Sequence, residues 1–187
     1  MRFSQSFYYS RYNGFTLIET IVGIVVLAIS FSVLTSIIYP IAQQSAEQLH
    51  QVKAAELAQS MLNEMQHKAF DENSDMAGGR IRCGETDAPT CSSVMGAEGI
   101  ETRVSFNDVD DYNGLQYGSF YNAGEVENSQ GQLLSLYTGY AMSISVCNDS
   151  AYNGSCTGNN STAKLITVTI TTPTDFSMSF STYRANF

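Results

Sequence analysis

Two acidic stretches hold the side chains best suited to chemistry. The first is Asp71-Glu72-Asn73-Ser74-Asp75, followed by Gly78-Gly79. The second is Phe106-Asn107-Asp108-Val109-Asp110-Asp111-Tyr112-Asn113-Gly114. Both set side-chain oxygens on alternate residues of a segment that ends in glycine, the spacing with which calcium loops turn oxygens inward. Neither completes the twelve-residue EF-hand with its terminal glutamate. Asx-turns and helix-ending loops collect the same residues. If the fold joins the two stretches, Asp71, Asn73, Asp75, Asp108, Asp110 and Asp111 make one hard-cation site. Calcium is then the expected ion, because magnesium prefers a tighter shell with retained waters.

Four cysteines fall into two local pairs, Cys83 with Cys91 and Cys147 with Cys156. Three connectivities are possible. Local pairing is expected because each pair brackets a turn-rich segment, and an exported chain meets an oxidising compartment. Zinc is the competing use. The spacings lack a Cys-x-x-Cys knuckle, and the two histidines, His50 and His67, lie together in a helical stretch. No nucleophile elbow, zincin motif, dinucleotide fingerprint or phosphate-binding glycine loop is present. The sequence gives no support for an enzyme. With 9 basic and 18 acidic residues, the surface repels a phosphate backbone, which argues against nucleic acid as a partner.

The elements that would position these groups begin with an apolar run that starts abruptly at Phe15 and continues to Ile41. Residues 20–42 carry no formal charge. At ~1.5 Å per residue they reach about 34 Å, enough for a hydrocarbon core of roughly 30 Å. Arg2 and Arg11 precede the run and no Lys or Arg follows until Lys53, which holds the N-terminus in the cytoplasm and sends the remainder across the membrane. Losing both arginines with a cleaved leader leaves 7 basic against 18 acidic residues, a net charge of −11. Gly23, Ser30, Ser32, Thr35 and Ser36 permit close helix contact and hydroxyl bonds between helices. Tyr39 suits the outer interface, and Pro40 predicts a kink or a local melt.

The junction Arg11-Tyr12-Asn13-Gly14-Phe15-Thr16-Leu17-Ile18-Glu19 resembles the leader of a type IV prepilin. A secretory signal is cut after its apolar stretch, whereas here the break precedes it. A plain signal anchor is the competing reading, but it needs neither Gly-Phe at the boundary nor a carboxylate inside the helix. The resemblance implies that prepilin peptidase cuts between Gly14 and Phe15 and methylates the new terminus. It also implies that Glu19 meets the terminal amine of a neighbouring subunit and sets axial register during filament assembly. The alternative is a carboxylate snorkelling to the headgroups.

Beyond the membrane run, Ala54, Leu57, Ala58, Met61, Leu62, Met65 and Ala69 recur at three- and four-residue steps, the stripe of an amphipathic helix. One helix is expected from Phe15 to Phe70. His50 and His67 are read as exposed or partly buried helix residues. Period-two alternation then marks three strands: Tyr140–Cys147, Ile166–Thr171 and Phe176–Ser181. Pro173-Thr174-Asp175 forms the last turn, and a fourth strand is expected at Ile100–Phe106. The fold class is α+β, a type IV pilin-like long helix on an antiparallel sheet with two disulfides. Its parts are a leader (1–14), a transmembrane and assembly helix (15–42), an amphipathic continuation (43–70) and a β-rich head (71–187).

The two acidic stretches, with Cys83 between them, look like those of minor prepilins of the mannose-sensitive haemagglutinin (MSHA) pilus, MshD type. That resemblance implies a low-abundance pilus-assembly subunit serving bacterial surface attachment. Its partners would be other pilins, prepilin peptidase, the assembly machinery and the inner membrane. The head is periplasmic before assembly and at the cell surface afterwards. Two other readings share the leader. One is a minor pseudopilin of a type II secretion system. The other is a pilus-borne carbohydrate-binding adhesin using tyrosines between Tyr112 and Tyr121 to stack on sugars.

Overall fold

The computed structural model describes residues 14–76 and 79–187, with backbone only at Pro40, Ala42 and Gln43. The leader arginines and Gly78 lie outside the described residues. The chain divides into two units, Met1–Ala46 and Glu47–Phe187. Helix α1 (Leu17–Gln66) contributes to both.

In the first unit, α1 begins two residues later than expected, at Leu17. Thr16 is its N-cap: its hydroxyl accepts the Glu19 amide at 3.3 Å, satisfying one of the donors that a helix start leaves unpaired. The apolar side chains from Phe15 to Tyr39 are exposed on every side, Phe15 at 84 %. Such a helix is long and apolar enough to cross a membrane. Three of the hydroxyls expected to reach other helices, those of Ser30, Thr35 and Ser36, are bonded within this one. Ser30 donates to the Val26 carbonyl (2.8 Å), Thr35 to those of Phe31 and Ser32, and Ser36 to that of Val33. Helix continues through Pro40, so the local melt does not occur. Proline withdraws one amide donor, and the surrounding ladder persists.

In the second unit, the helical stripe is buried as its spacing requires. Ala54, Leu57, Ala58, Met61, Leu62 and Met65 pack against an antiparallel sheet. Its strands are β1 (Gln116–Tyr117), β2 (Ala141–Asn148), β3 (Ala163–Thr171) and β4 (Ser177–Ala185), in the order β1-β2-β3-β4. Met142, Ile144 and Val146 of β2 and Ile166, Val168 and Ile170 of β3 supply the inner face. Each large aliphatic side chain so buried stabilises the head by about 1.5–3 kcal/mol relative to exposure. On the outer face, hydroxyls pair across the β3–β4 register: Thr167 with Ser181 (2.9 Å), Thr169 with Ser179 (2.8 Å) and Thr171 with Ser177 (2.8 Å). The Pro173–Asp175 turn closes on a Thr172 carbonyl to Asp175 amide bond of 3.0 Å.

Two expectations need correction. Ile100–Phe106 is not a strand. The Ser105 amide bonds back to the Thr102 carbonyl at 2.8 Å, and Ile100 is 98 % exposed while Arg103 is buried. The segment turns so that Arg103 enters the head, which an extended alternation would not allow. The fourth strand is instead the two-residue β1. Helix α1 also ends at Gln66 rather than Phe70. The His67 ring engages the Asn63 carbonyl through Nδ1 at 2.6 Å. Ala69 leaves the helix to bridge Asp108 and accepts the Val109 amide at 3.1 Å. The end of the helix is thereby tied to the second acidic stretch.

Disulfides join Cys83 to Cys91 and Cys147 to Cys156. Buried Asp149 anchors the second loop, accepting the Gly154 amide (2.6 Å) and the Tyr183 hydroxyl (2.8 Å).

Candidate functional site

Two places in the chain can carry function: the N-terminal junction and the acidic centre of the head.

At the junction, Gly14 is exposed and a Cβ built on it meets nothing within 4 Å. The fold therefore makes no demand for glycine here. Glu19 sits in the first turn of α1, where the positive end of the helix dipole favours a carboxylate. Thr16-Leu17-Ile18-Glu19 has the spacing of a capping box, and the structure contains its threonine half. The capping bond uses only the Glu19 amide, so the local contribution of its side chain is the charge it sets at the positive end of the helix.

The head's acidic centre is assembled by three anchors. Lys68 Nζ donates to the Phe106 carbonyl at 2.5 Å. Arg103 pairs with Glu64 of α1 at 2.7 Å, and the Tyr112 hydroxyl donates to the other oxygen of Glu64 at 2.6 Å. The Arg103 guanidinium also lies 5.2 Å over the Tyr112 ring, within cation–π range. Burial alone would raise the Glu64 carboxyl, but the Arg103 and Tyr112 hydrogen bonds hold it below its ordinary value. Third, Asn113 accepts the Val146 amide at 3.0 Å and fastens the far end of the loop to β2.

Between the two acidic stretches stands Lys164, in phase with Ile166 and Val168 on the inner face of β3. Its ammonium lies 2.6 Å from Asp110 Oδ1, 2.7 Å from the Phe70 carbonyl and 3.5 Å from Asp71 Oδ2. It also sits 4.6 Å over the Phe70 ring. The cation joining the stretches is therefore a lysine of the chain itself.

The six expected ligands do not share one centre. Asp75 Oδ2 accepts the Arg80 and Ile81 amides of its own loop at 3.0 Å each. Asn73 turns its side-chain amide to Glu72. Asp71 accepts the Ser92 amide at 2.9 Å. Its other grouping is with Cys83 and Cys91, whose sulfurs are already bonded to each other. Asp108, Asp110 and Asp111 gather instead with Glu98 and Glu101. One oxygen each from Glu98, Asp108 and Asp110 lies within 4.8 Å of the others, and the same holds for Glu98, Glu101 and Asp111.

Each aspartate of this group is fixed through one oxygen. Asp108 Oδ1 accepts the Asp110 and Asp111 amides, and Asp111 Oδ2 accepts those of Asn107 and Asp108. Asp110 Oδ1 meets Lys164. The second oxygens, Asp108 Oδ2, Asp110 Oδ2 and Asp111 Oδ1, are buried with no donor among the described residues, as is Glu98 Oε2. Burial first, then the neighbouring Asp110 carboxylate, pushes the Asp108 carboxyl up to about 8. Burial and Asp111 push Glu98 to about 7. This arrangement can retain protons or receive a hard cation.

Sequence reading missed Glu98, Glu101 and Lys164. For Lys164 a signal existed, since a lysine in the apolar phase of a strand needs a buried partner. Glu98 gave none, because it lies in an irregular loop brought in by Arg103.

With this geometry in place, the comparisons bear on the N-terminus. Residues 9–35 match the prokaryotic N-terminal methylation motif, the signature of type IV prepilin-like proteins. The match spans Gly14, Phe15, Glu19 and the first part of the apolar helix. No curated protein and no solved structure matches the chain.

Proposed function

We propose that this chain is a minor subunit of an MSHA-like type IV pilus, acting in pilus assembly and bacterial surface attachment. The methylation motif over residues 9–35 supports the type IV pilin part of this reading, and the likeness of the two acidic stretches to MSHA minor prepilins supports the rest. The motif falls on a glycine that the fold does not need, immediately before a helix exposed on all sides. Glycine there suits a peptidase that must approach the backbone closely. The helix suits a membrane before assembly and the apolar helix bundle of a filament afterwards.

In this account prepilin peptidase cuts between Gly14 and Phe15 and methylates Phe15. Other pilins then pack on the exposed apolar surface. A carboxylate in an apolar bundle is stabilised by an opposite charge, and a wrong stagger leaves both unpaired. Glu19 would therefore set register against a neighbour's terminal amine. The head would lie in the periplasm until assembly carries it to the cell surface.

A deletion strain tests the assignment. Loss of surface pili, restored by the gene in trans, is the expected result. Normal pili with lost adhesion would shift the assignment to an adhesin. Normal pili with lost protein secretion would shift it to a pseudopilin.

A further inference from the structure

The arrangement of Glu98, Asp108, Asp110 and Asp111 has the form of a binding site with its ligand atoms prepared. Three aspartates are 0 %, 1 % and 2 % exposed at positions 108, 110 and 111. Each holds one oxygen on a backbone amide or on Lys164 and leaves its second oxygen buried and unpaired. A buried carboxylate oxygen without a donor is costly, so oxygens gathered this closely either share protons or take up a cation. Among the described residues, the ion pairs that reach the acidic stretches are those of Lys164 with Asp110 and Asp71. That ammonium faces Asp110 and Asp71, and among the described residues no ion pair reaches Glu98, Asp108 or Asp111.

We infer that these side chains bind one calcium ion in the head, through the free oxygens of Asp108, Asp110, Asp111 and Glu98, with Glu101 at the rim. Oxygens around a common calcium stand 2.3–2.6 Å from it, so any two are at most about 5 Å apart. One oxygen each of Glu98, Asp108 and Asp110 lies within 4.8 Å of the others; a second set, one oxygen each of Glu98, Glu101 and Asp111, is as close, and Glu98 belongs to both. Carboxylate oxygens with no sulfur or imidazole select a hard cation. Backbone amides orient Asp108 and Asp111, and Lys164 orients Asp110, so the ion does not have to order them. Lys164 occupies the far side of Asp110 and closes the cluster toward the sheet. Asp71 pairs with that lysine, and Asp75 takes no part. The inference concerns the head alone and does not rest on the pilus assignment.

The test uses the full chain in detergent micelles, stripped with EDTA and titrated calorimetrically with calcium chloride. The expected result is one calcium per chain, with Kd in the range of extracellular modules, about 10⁻⁴–10⁻³ M. Tm should rise about 3–6 °C at tenfold excess over Kd and fall again with EDTA. Glu98→Gln removes a loop carboxylate that no backbone amide anchors. It should weaken binding at least about tenfold and leave the metal-free fold intact. Asp75→Asn should bind as the parent does. The inference is overturned if folded parent protein shows neither heat nor a Tm shift at about 10 mM calcium, ten times the weak end of that range. It is also overturned if magnesium stabilises equally, or if Asp75→Asn weakens binding as much as Glu98→Gln.

Discussion

Lys164 Nζ stands 2.6 Å from Asp110 Oδ1, with both side chains 1 % exposed. This pair joins the sheet to the loop that follows the helix, and Asp71 approaches the same ammonium from the first acidic stretch. Removing one member of such a pair leaves an uncompensated buried charge, which costs about 3–5 kcal/mol. Lys164→Met should therefore destabilise the head by that amount in urea unfolding of the full chain in detergent. Lys164→Met with Asp110→Leu should recover much of the loss. A single variant within about 0.5 kcal/mol of the parent would remove Lys164 from this role.

Glu64 predicts a pH dependence. Its carboxyl is drawn upward by burial but held below the ordinary 4.5 by Arg103 and Tyr112. A depressed carboxyl stabilises the fold above its unfolded pKa and loses that contribution as pH falls through the folded value. The Glu64 contribution is thus intact above the ordinary 4.5 and is lost as pH falls from there through the lower folded value. Glu64→Gln should cost about 1.5–3 kcal/mol at pH 7, the worth of hydrogen bonds to a charged group. The gap between parent and variant should narrow between pH 5 and pH 3. A gap independent of pH would count against the charged pairing.

The Glu19 charge can act in two separable ways, on the helix dipole at the start of α1 and in the filament register proposed for it. The Glu19 amide reaches Thr16 whatever side chain it bears. Glu19→Ala and Glu19→Gln should both insert into the membrane and both be depleted from sheared pili. Normal incorporation of Glu19→Gln alone would assign the residue to helix initiation instead of register.

A core substitution separates assembly from folding. Val168 is fully buried on the inner face of β3. Val168→Ala should lower head stability by about 1–3 kcal/mol, with processing at Gly14 unchanged. A processing defect in this variant would mean that cleavage depends on the folded head.

Much of this architecture is legible in the sequence because it rests on period. Leu57, Met61 and Met65 mark one helical face, and Ile166, Val168 and Ile170 mark one strand face. Both faces are buried as those spacings require. Ile100–Phe106 misleads because a short alternating run has no way to announce that Arg103 will fold inward toward Glu64. β1 has two residues, too few for any period to register. The acidic stretches were visible by composition, but their meeting point was not. It depends on Lys164, 53 residues beyond Asp111 in the chain, and on a loop with no local pattern. Thr16-Leu17-Ile18-Glu19 was open to a capping reading, yet the charge of Glu19 in an apolar helix drew the interpretation to the filament.

The mass of the exported chain's N-terminal peptide tests the central claim most directly. The expected peptide begins at Phe15, carries one added methyl on its amine and retains the apolar run to Ile41. Gly14→Val, which the fold can accommodate, should accumulate as the uncut precursor. An exported chain that keeps Met1, or one cut beyond Ile41, would contradict the prepilin account.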